Sequence, residues 1–129
     1  MERVLLLLAG AYGFLGVALG AFGAHGLRPV FERAADAAKR VEWWHTATQY
    51  HLIHALAIAL AAWMLGRTQS TAATIAGFAF AGGVLLFSGT LYAMAVTGIR
   101  WLGAITPIGG VMLLIGWAAF IVAALKLRA

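Results

Sequence analysis

The sequence predicts an all-α integral membrane protein, a four-helix bundle with a short amphipathic helix at the interface in its first loop. Three observations predict it. Apolar residues make up 64% of the 129-residue chain and charged residues only 10%, against about 45–50% and about 25% in ordinary globular domains. Four stretches, residues 4–24, 43–65, 72–97 and 104–125, reach the length of about 20 residues that a helix needs to cross a hydrocarbon core of about 30 Å. The second and third connections, 66–71 and 98–103, are so short that successive helices must run antiparallel. Such a length holds one membrane domain, residues 1–129. With no cysteine, disulfides, thiol catalysis and thiolate metal sites are excluded. A net charge of +5 in so apolar a chain belongs to residues flanking membrane spans, so the expected partner is the lipid bilayer and not nucleic acid.

The first stretch carries no charge between Val4 and Ala24. A cleaved signal peptide is the alternative, since Met1-Glu2-Arg3 resembles a short n-region. The apolar run, however, exceeds the usual 7–15 residues of an h-region. Gly13, Gly16, Gly20 and Gly23 recur at spacings of 3, 4 and 3, which draws a small-residue stripe down one face. Lipid tails are as apolar as leucine, so helices in a membrane associate through such close packing and through polar contacts. Packing within the bundle is the first use of the stripe, and a homo-oligomer interface the second. Gly82, Gly83 and Gly89 in the third stretch, and Gly109, Gly110 and Gly116 in the fourth, offer the same service.

The first loop, residues 25–42, reads as a helix of its own. Pro29 stands where a first helical residue needs no N–H. Phe31, Ala34, Ala35, Ala38 and Val41 follow at helical spacing with charged residues between them. Asp36 and Arg40 are spaced i,i+4 in the favourable order. The helix either lies in the interface beside Trp43 and Trp44 or forms a solvated connection. Basic residues do not orient the protein: Arg3, Arg67, Lys126 and Arg128 lie on the side of the termini, and Arg28, Arg33, Lys39, Arg40 and Arg100 on the other.

Within the spans, polar groups gather in the half that faces the first loop. Ionisable residues there mark function by default. His51 and His54 share a helical face, and His54 lies about 15 Å below Trp44 at about 1.5 Å per residue. Counted from the other helix, Ser88 is expected level with His54, and Tyr92 level with Tyr50 and His51. His25 ends the first span, and Arg100 caps the same side. The candidate binding or polar-core residues are therefore His25, Tyr50, His51, His54, Ser88, Tyr92 and Arg100. A polar path from face to face and an acidic residue within a span are both missing, which weighs against a channel or a proton-coupled exporter.

Other chemistries find less support. His51-x-x-His54 has helical ligand spacing, with His25 or His45 as a third nitrogen, and leaves a metal site open. Bis-histidine haem would place His25 and His54 about 10–15 Å out of register. Ser88 near a histidine lacks an acidic orienter. No phosphate loop or nucleophile elbow occurs. No cofactor is expected, and the imidazoles are expected to hydrogen-bond Ser88, Tyr92 or backbone carbonyls.

Four motifs in series carry a resemblance. They are Gly20-Ala21-Phe22-Gly23-Ala24-His25-Gly26-Leu27, then Trp44-His45-Thr46-Ala47 with Tyr50-His51-Leu52-Ile53-His54-Ala55-Leu56. They continue with Leu86-Phe87-Ser88-Gly89-Thr90-Leu91-Tyr92, and Arg100-Trp101-Leu102-Gly103-Ala104-Ile105-Thr106-Pro107-Ile108-Gly109-Gly110. The chain resembles the YgdD/YwdK-type family of small four-span membrane proteins, a domain of unknown function with bacterial inner-membrane members and mitochondrial relatives. The resemblance implies the fold and a multi-pass place in the cell inner membrane. It assigns no catalytic role to any residue. The function expected is that of a structural or accessory protein, not an enzyme, meeting a lipid, a second copy or a membrane-protein partner on the loop-one side. The alternative is a small-molecule or ion-binding protein or transporter using the intramembrane histidines.

Overall fold

A computed structural model describes residues 1–127. Helix α1 spans Glu2–His25, α2 Arg28–Glu32, α3 Ala37–Thr68, α4 Thr71–Thr97 and α5 Thr106–Ala124, with a 3-10 turn at Arg100–Ala104 before α5. α1, α3, α4 and the segment from the 3-10 turn through α5 are each long and apolar enough to cross a membrane.

The bundle is open. α3 and α4 pack along each other as a central hairpin, α1 lies along α3, and α5 lies along α4. Among the described residues α1 and α5 do not touch. The outer helices therefore turn most of their surface to lipid, with Phe14, Leu7, Leu114 and Ile121 all exposed. A membrane tolerates this because the outward solvent is itself apolar. The core is built of small residues on the central pair, Ala57, Ala61, Ala62, Ala73 and Ala76, around Leu5, Ile58 and Phe80.

The hairpin turn is locally encoded. Gln69 takes a left-handed conformation with φ 50° and closes α3, its N–H donating to Leu65 O. Ser70 then caps α4, its hydroxyl accepting from the Ala73 N–H at 3.2 Å. At the far end of α4, Gly98 adopts φ 73°, a backbone conformation glycine enters without steric cost.

Two expectations about boundaries are corrected. The single loop-one helix is broken: α2 stops at Glu32 and a new helix starts at Ala37. Phe31 and Trp44 are thirteen residues apart, so a straight helix would separate them by about 20 Å. The break folds α2 back and places the two rings 5.9 Å apart, with Phe31 only 2% exposed. The second half of the expected loop helix becomes the first turns of α3, which begins six residues before residue 43. At 32 residues this helix is about 48 Å long, longer than the roughly 30 Å of a hydrocarbon core.

That early start also corrects the depths. Ser88 does not meet His54; its hydroxyl donates to Ala47 O at 2.7 Å, seven residues or about 10 Å nearer the loop-one end of α3. His54 instead packs against Phe80, 5.6 Å between ring centroids.

The glycine stripe divides. A side chain on Gly16 would meet Leu52, one on Gly20 would meet Thr48 Cγ2 at 3.1 Å, and one on Gly23 would run into the Trp44 indole. These three pack α1 against α3. Gly13 does not: like Gly10, it faces open space. In the third and fourth spans, Gly83 and Gly109 bring α4 and α5 almost into backbone contact, and Gly89 faces open space.

Candidate functional site

The polar groups form a belt across all four long helices, near their midpoints. α3 supplies its centre. His51 and His54 are 6% and 5% exposed, so both face the interior of the protein and neither faces lipid. They are one turn apart but serve different neighbours.

His54 is fully satisfied. The Trp117 indole N–H on α5 donates to His54 Nε2 at 3.1 Å. Nε2 must then carry the lone pair, and the proton sits on Nδ1, which donates to Tyr50 O at 2.8 Å. The Tyr50 ring stacks on the imidazole at 5.9 Å and 14° and also meets Phe87.

His51 is half satisfied. Its Nδ1 lies 3.1 Å from the Tyr92 hydroxyl on α4. Its Nε2 is buried and has no hydrogen-bond partner. Tyr92 also has the Thr48 side chain as a hydrogen-bond partner, so either tautomer of His51 leaves Nε2 as the unmatched ring position, with the Tyr12 backbone beside the ring. On the α1 side the ring meets Tyr12 edge-on, 5.7 Å between centroids, and the Tyr12 hydroxyl donates to Ala81 O at 3.0 Å.

Beside His51 a groove of about 220 Å³ runs between α1 and α4, lined by apolar side chains with Ser88, Gly89 and Tyr92. A second recess, about 460 Å³, opens at the loop-one end between the last turns of α1 and the first of α3. Gly20, Gly23 and Trp44 floor it, and Arg28, Glu32 and His45 line it.

The remaining candidates lie apart from the belt. His25 is exposed at the end of α1. Among the described residues no group of three His, Asp or Glu side chains is placed to share a metal ion. Arg100 reaches Asp36 at 3.5 Å from a largely exposed position and lies over the Trp43 ring. Asp36 also accepts from Arg40 Nε at 2.8 Å, and Arg40 donates to Val96 O at 3.1 Å. A guanidinium at the carbonyl end of α4 is favoured by the helix dipole. This clasp ties loop one to the C-terminal end of α4, on the same side of the bundle.

The hydrogen bond from Arg40 is the chief cause that holds the Asp36 carboxyl below its ordinary value of 3.8, with Arg40's charge and Arg100 adding to it against some desolvation. A carboxylate whose pKa is lowered by folding stabilises the fold above its unfolded value and loses that contribution as pH falls through the folded one. The protection of the amides at the end of α4, measured relative to their intrinsic exchange rates, is therefore expected to be constant well above pH 3.8 and to fall as the pH drops through and below it. Asp36→Asn is expected to abolish that fall; an unchanged acid profile would put the clasp elsewhere.

Sequence reasoning reached the Asp36–Arg40 pair but missed Tyr12, Trp117 and the reach of Arg40 to α4. The signal for Trp117 was present: tryptophans in membrane proteins favour the interface, and one at mid-span needs a partner for its N–H. Tyr12, mid-span in α1, makes the same demand with its hydroxyl.

Comparison with known proteins decides the family. Residues 19–110 match the model of DUF423, described as a protein of unknown function. The chain belongs to the DUF423 family. Its relatives include the UPF0382 membrane protein YwdK of Bacillus subtilis, 42% identical over 125 residues, covering 96% of this chain and 98% of the relative. A UPF0382 membrane protein of Staphylococcus epidermidis is 40% identical over 96% of this chain and 97% of its own. The UPF0382 inner membrane protein YgdD of Escherichia coli K12 is 38% identical over 98% and 93%. No solved structure matches. This DUF423 chain is a multi-pass protein of the cell inner membrane, with four membrane helices.

Proposed function

We propose that this DUF423 protein is an accessory component of the membrane, acting as one unit without chemistry of its own, and that its loop-one face holds a phospholipid. The loop-one recess carries the reading. Its volume of about 460 Å³ falls in the range of about 300–1,000 Å³ usual for ligand sites. Its floor is apolar, and its rim carries the exposed Arg28–Glu32 pair at 2.8 Å, one cation and one anion at headgroup depth. A zwitterionic headgroup presents the matching phosphate and ammonium.

The test is native mass spectrometry from mild detergent, with phosphatidylethanolamine and phosphatidylglycerol offered in competition. One retained phosphatidylethanolamine per chain is expected. Ala38→Trp, on the exposed face that lines the recess, is expected to lose it. Retention of no lipid, or equal retention by the variant, would overturn the reading. Added mass of a second copy or of a membrane-protein partner at that face would replace it.

A further inference from the structure

We propose that His45 donates to the ester linkage of the phospholipid in the loop-one recess, so that the site selects ester-linked over ether-linked lipids; this rests on the phospholipid reading of that recess. The recess holds few polar side chains, and most are committed. The Trp44 indole N–H donates to Leu19 O at 3.0 Å, the Thr48 hydroxyl donates to Trp44 O at 3.0 Å, and Arg28 pairs with Glu32 at the rim. Among the described residues lining the recess, His45 is the polar side chain left over. It is exposed, so a ligand reaches it without any movement of the protein. An imidazole carries at least one N–H in either tautomer and in its charged form, so His45 has a hydrogen to give in every state.

Height decides what that hydrogen meets. A side chain on Gly20 would touch Thr48, and one on Gly23 would touch Trp44, so the last turns of α1 run opposite residues 44–48 of α3. His45 stands at that level, while Ala37 and Ala38 line the outer end of the recess. Seven residues separate Ala38 from His45, about 10 Å along the helix. Side chains in a helix lean toward its N-terminus, which brings the imidazole part of the way back. Headgroups occupy about 5–7 Å on each side of the hydrocarbon core. With phosphate and ammonium held at the Arg28–Glu32 rim, the imidazole lies at the inner edge of the headgroup layer, where the acyl chains join the glycerol. In a diacyl lipid each chain joins through an ester, whose carbonyl is a neutral acceptor matched by a single donor. The oxygen of an ether in the same place is a far weaker acceptor.

Native mass spectrometry from mild detergent tests it, with dipalmitoyl phosphatidylethanolamine and its dihexadecyl ether analogue offered in competition. Headgroup and chain length are the same, and only the two carbonyls differ. Wild type is expected to retain the diester about fivefold over the diether, the effect of one ordinary hydrogen bond. His45→Phe keeps a ring and removes the N–H. It is expected to hold the two lipids equally while still preferring phosphatidylethanolamine to phosphatidylglycerol, because the Arg28–Glu32 pair is untouched. His45→Gln restores a neutral donor and is expected to recover the preference for the ester. Equal retention of diester and diether by wild type would overturn the inference and leave the phospholipid reading standing. An ester preference that survives His45→Phe would overturn it as well, and so would loss of both lipids in that variant, which would put His45 on the headgroup. Retention of no lipid by wild type would overturn both readings.

Discussion

Gly109→Ala is expected to destabilise the protein by about 3 kcal/mol, the upper end of the usual range for overpacking a well-filled interior. The added methyl would lie against the backbone N of Phe87, 2.8 Å from Phe87 Cα and 2.9 Å from Gly83 O. Flexible side chains can move aside from such a contact, but a helix backbone moves only as a unit. α5 would have to separate from α4, and this is the helix pairing in which backbones approach most closely. Gly83→Ala is expected to act in the same direction, since its methyl would fall 3.0 Å from Leu113 N. The measurement is reversible unfolding in mixed micelles by increasing SDS fraction. Gly10→Ala and Gly13→Ala are the controls. Both methyls would enter open space, and mid-helix glycine is slightly worse than alanine, so neither is expected to destabilise. Loss of stability in the Gly13 variant would mean that a second copy covers this face in the micelle.

The division among the glycines shows where sequence reasoning stops. Spacing alone places Gly13, Gly16, Gly20 and Gly23 together, because a stripe is a property of one helix. Which part of the stripe is used depends on the angle at which α3 crosses it, and that angle is set by side chains elsewhere, among them Trp44 entering at Gly23. The fold class was legible because it rests on length and apolarity, which are local. The depths were not. Counting down α3 from residue 43 assumed that the helix starts where the membrane does, whereas it starts at Ala37, and every later residue shifts against α4. Tyr92 still finds His51 because a tyrosine side chain is long enough to absorb the error; Ser88 is too short and pairs with Ala47 O. The burial of His51 and His54 follows from their spacing, but the partner of His54 comes from α5, which composition marks only as uniformly apolar.

That partner gives the second large effect. Trp117→Phe is expected to destabilise the protein by about 1.5 kcal/mol. The substitution keeps an aromatic ring against Phe80, whose centroid lies 4.9 Å from that of Trp117, so little packing is lost. What is lost is the N–H that meets His54 Nε2 at 3.1 Å. Intramembrane hydrogen bonds average only about 0.6 kcal/mol by double-mutant cycles, with a maximum of about 1.7. The larger value applies here because the acceptor left behind is 5% exposed and finds no water. Leaving a buried group unpaired costs more than the pair contributed, whereas removing both members can be nearly neutral. His54→Phe alone orphans the indole N–H and is expected to cost a similar amount. The double variant, with two phenylalanines facing each other across α3 and α5, is expected to be no less stable than either single variant, giving a coupling of about 1 kcal/mol or more. SDS unfolding of all four proteins measures it. Strict additivity would show that the two rings do no more than fill space, and would leave the polar belt without its link to α5.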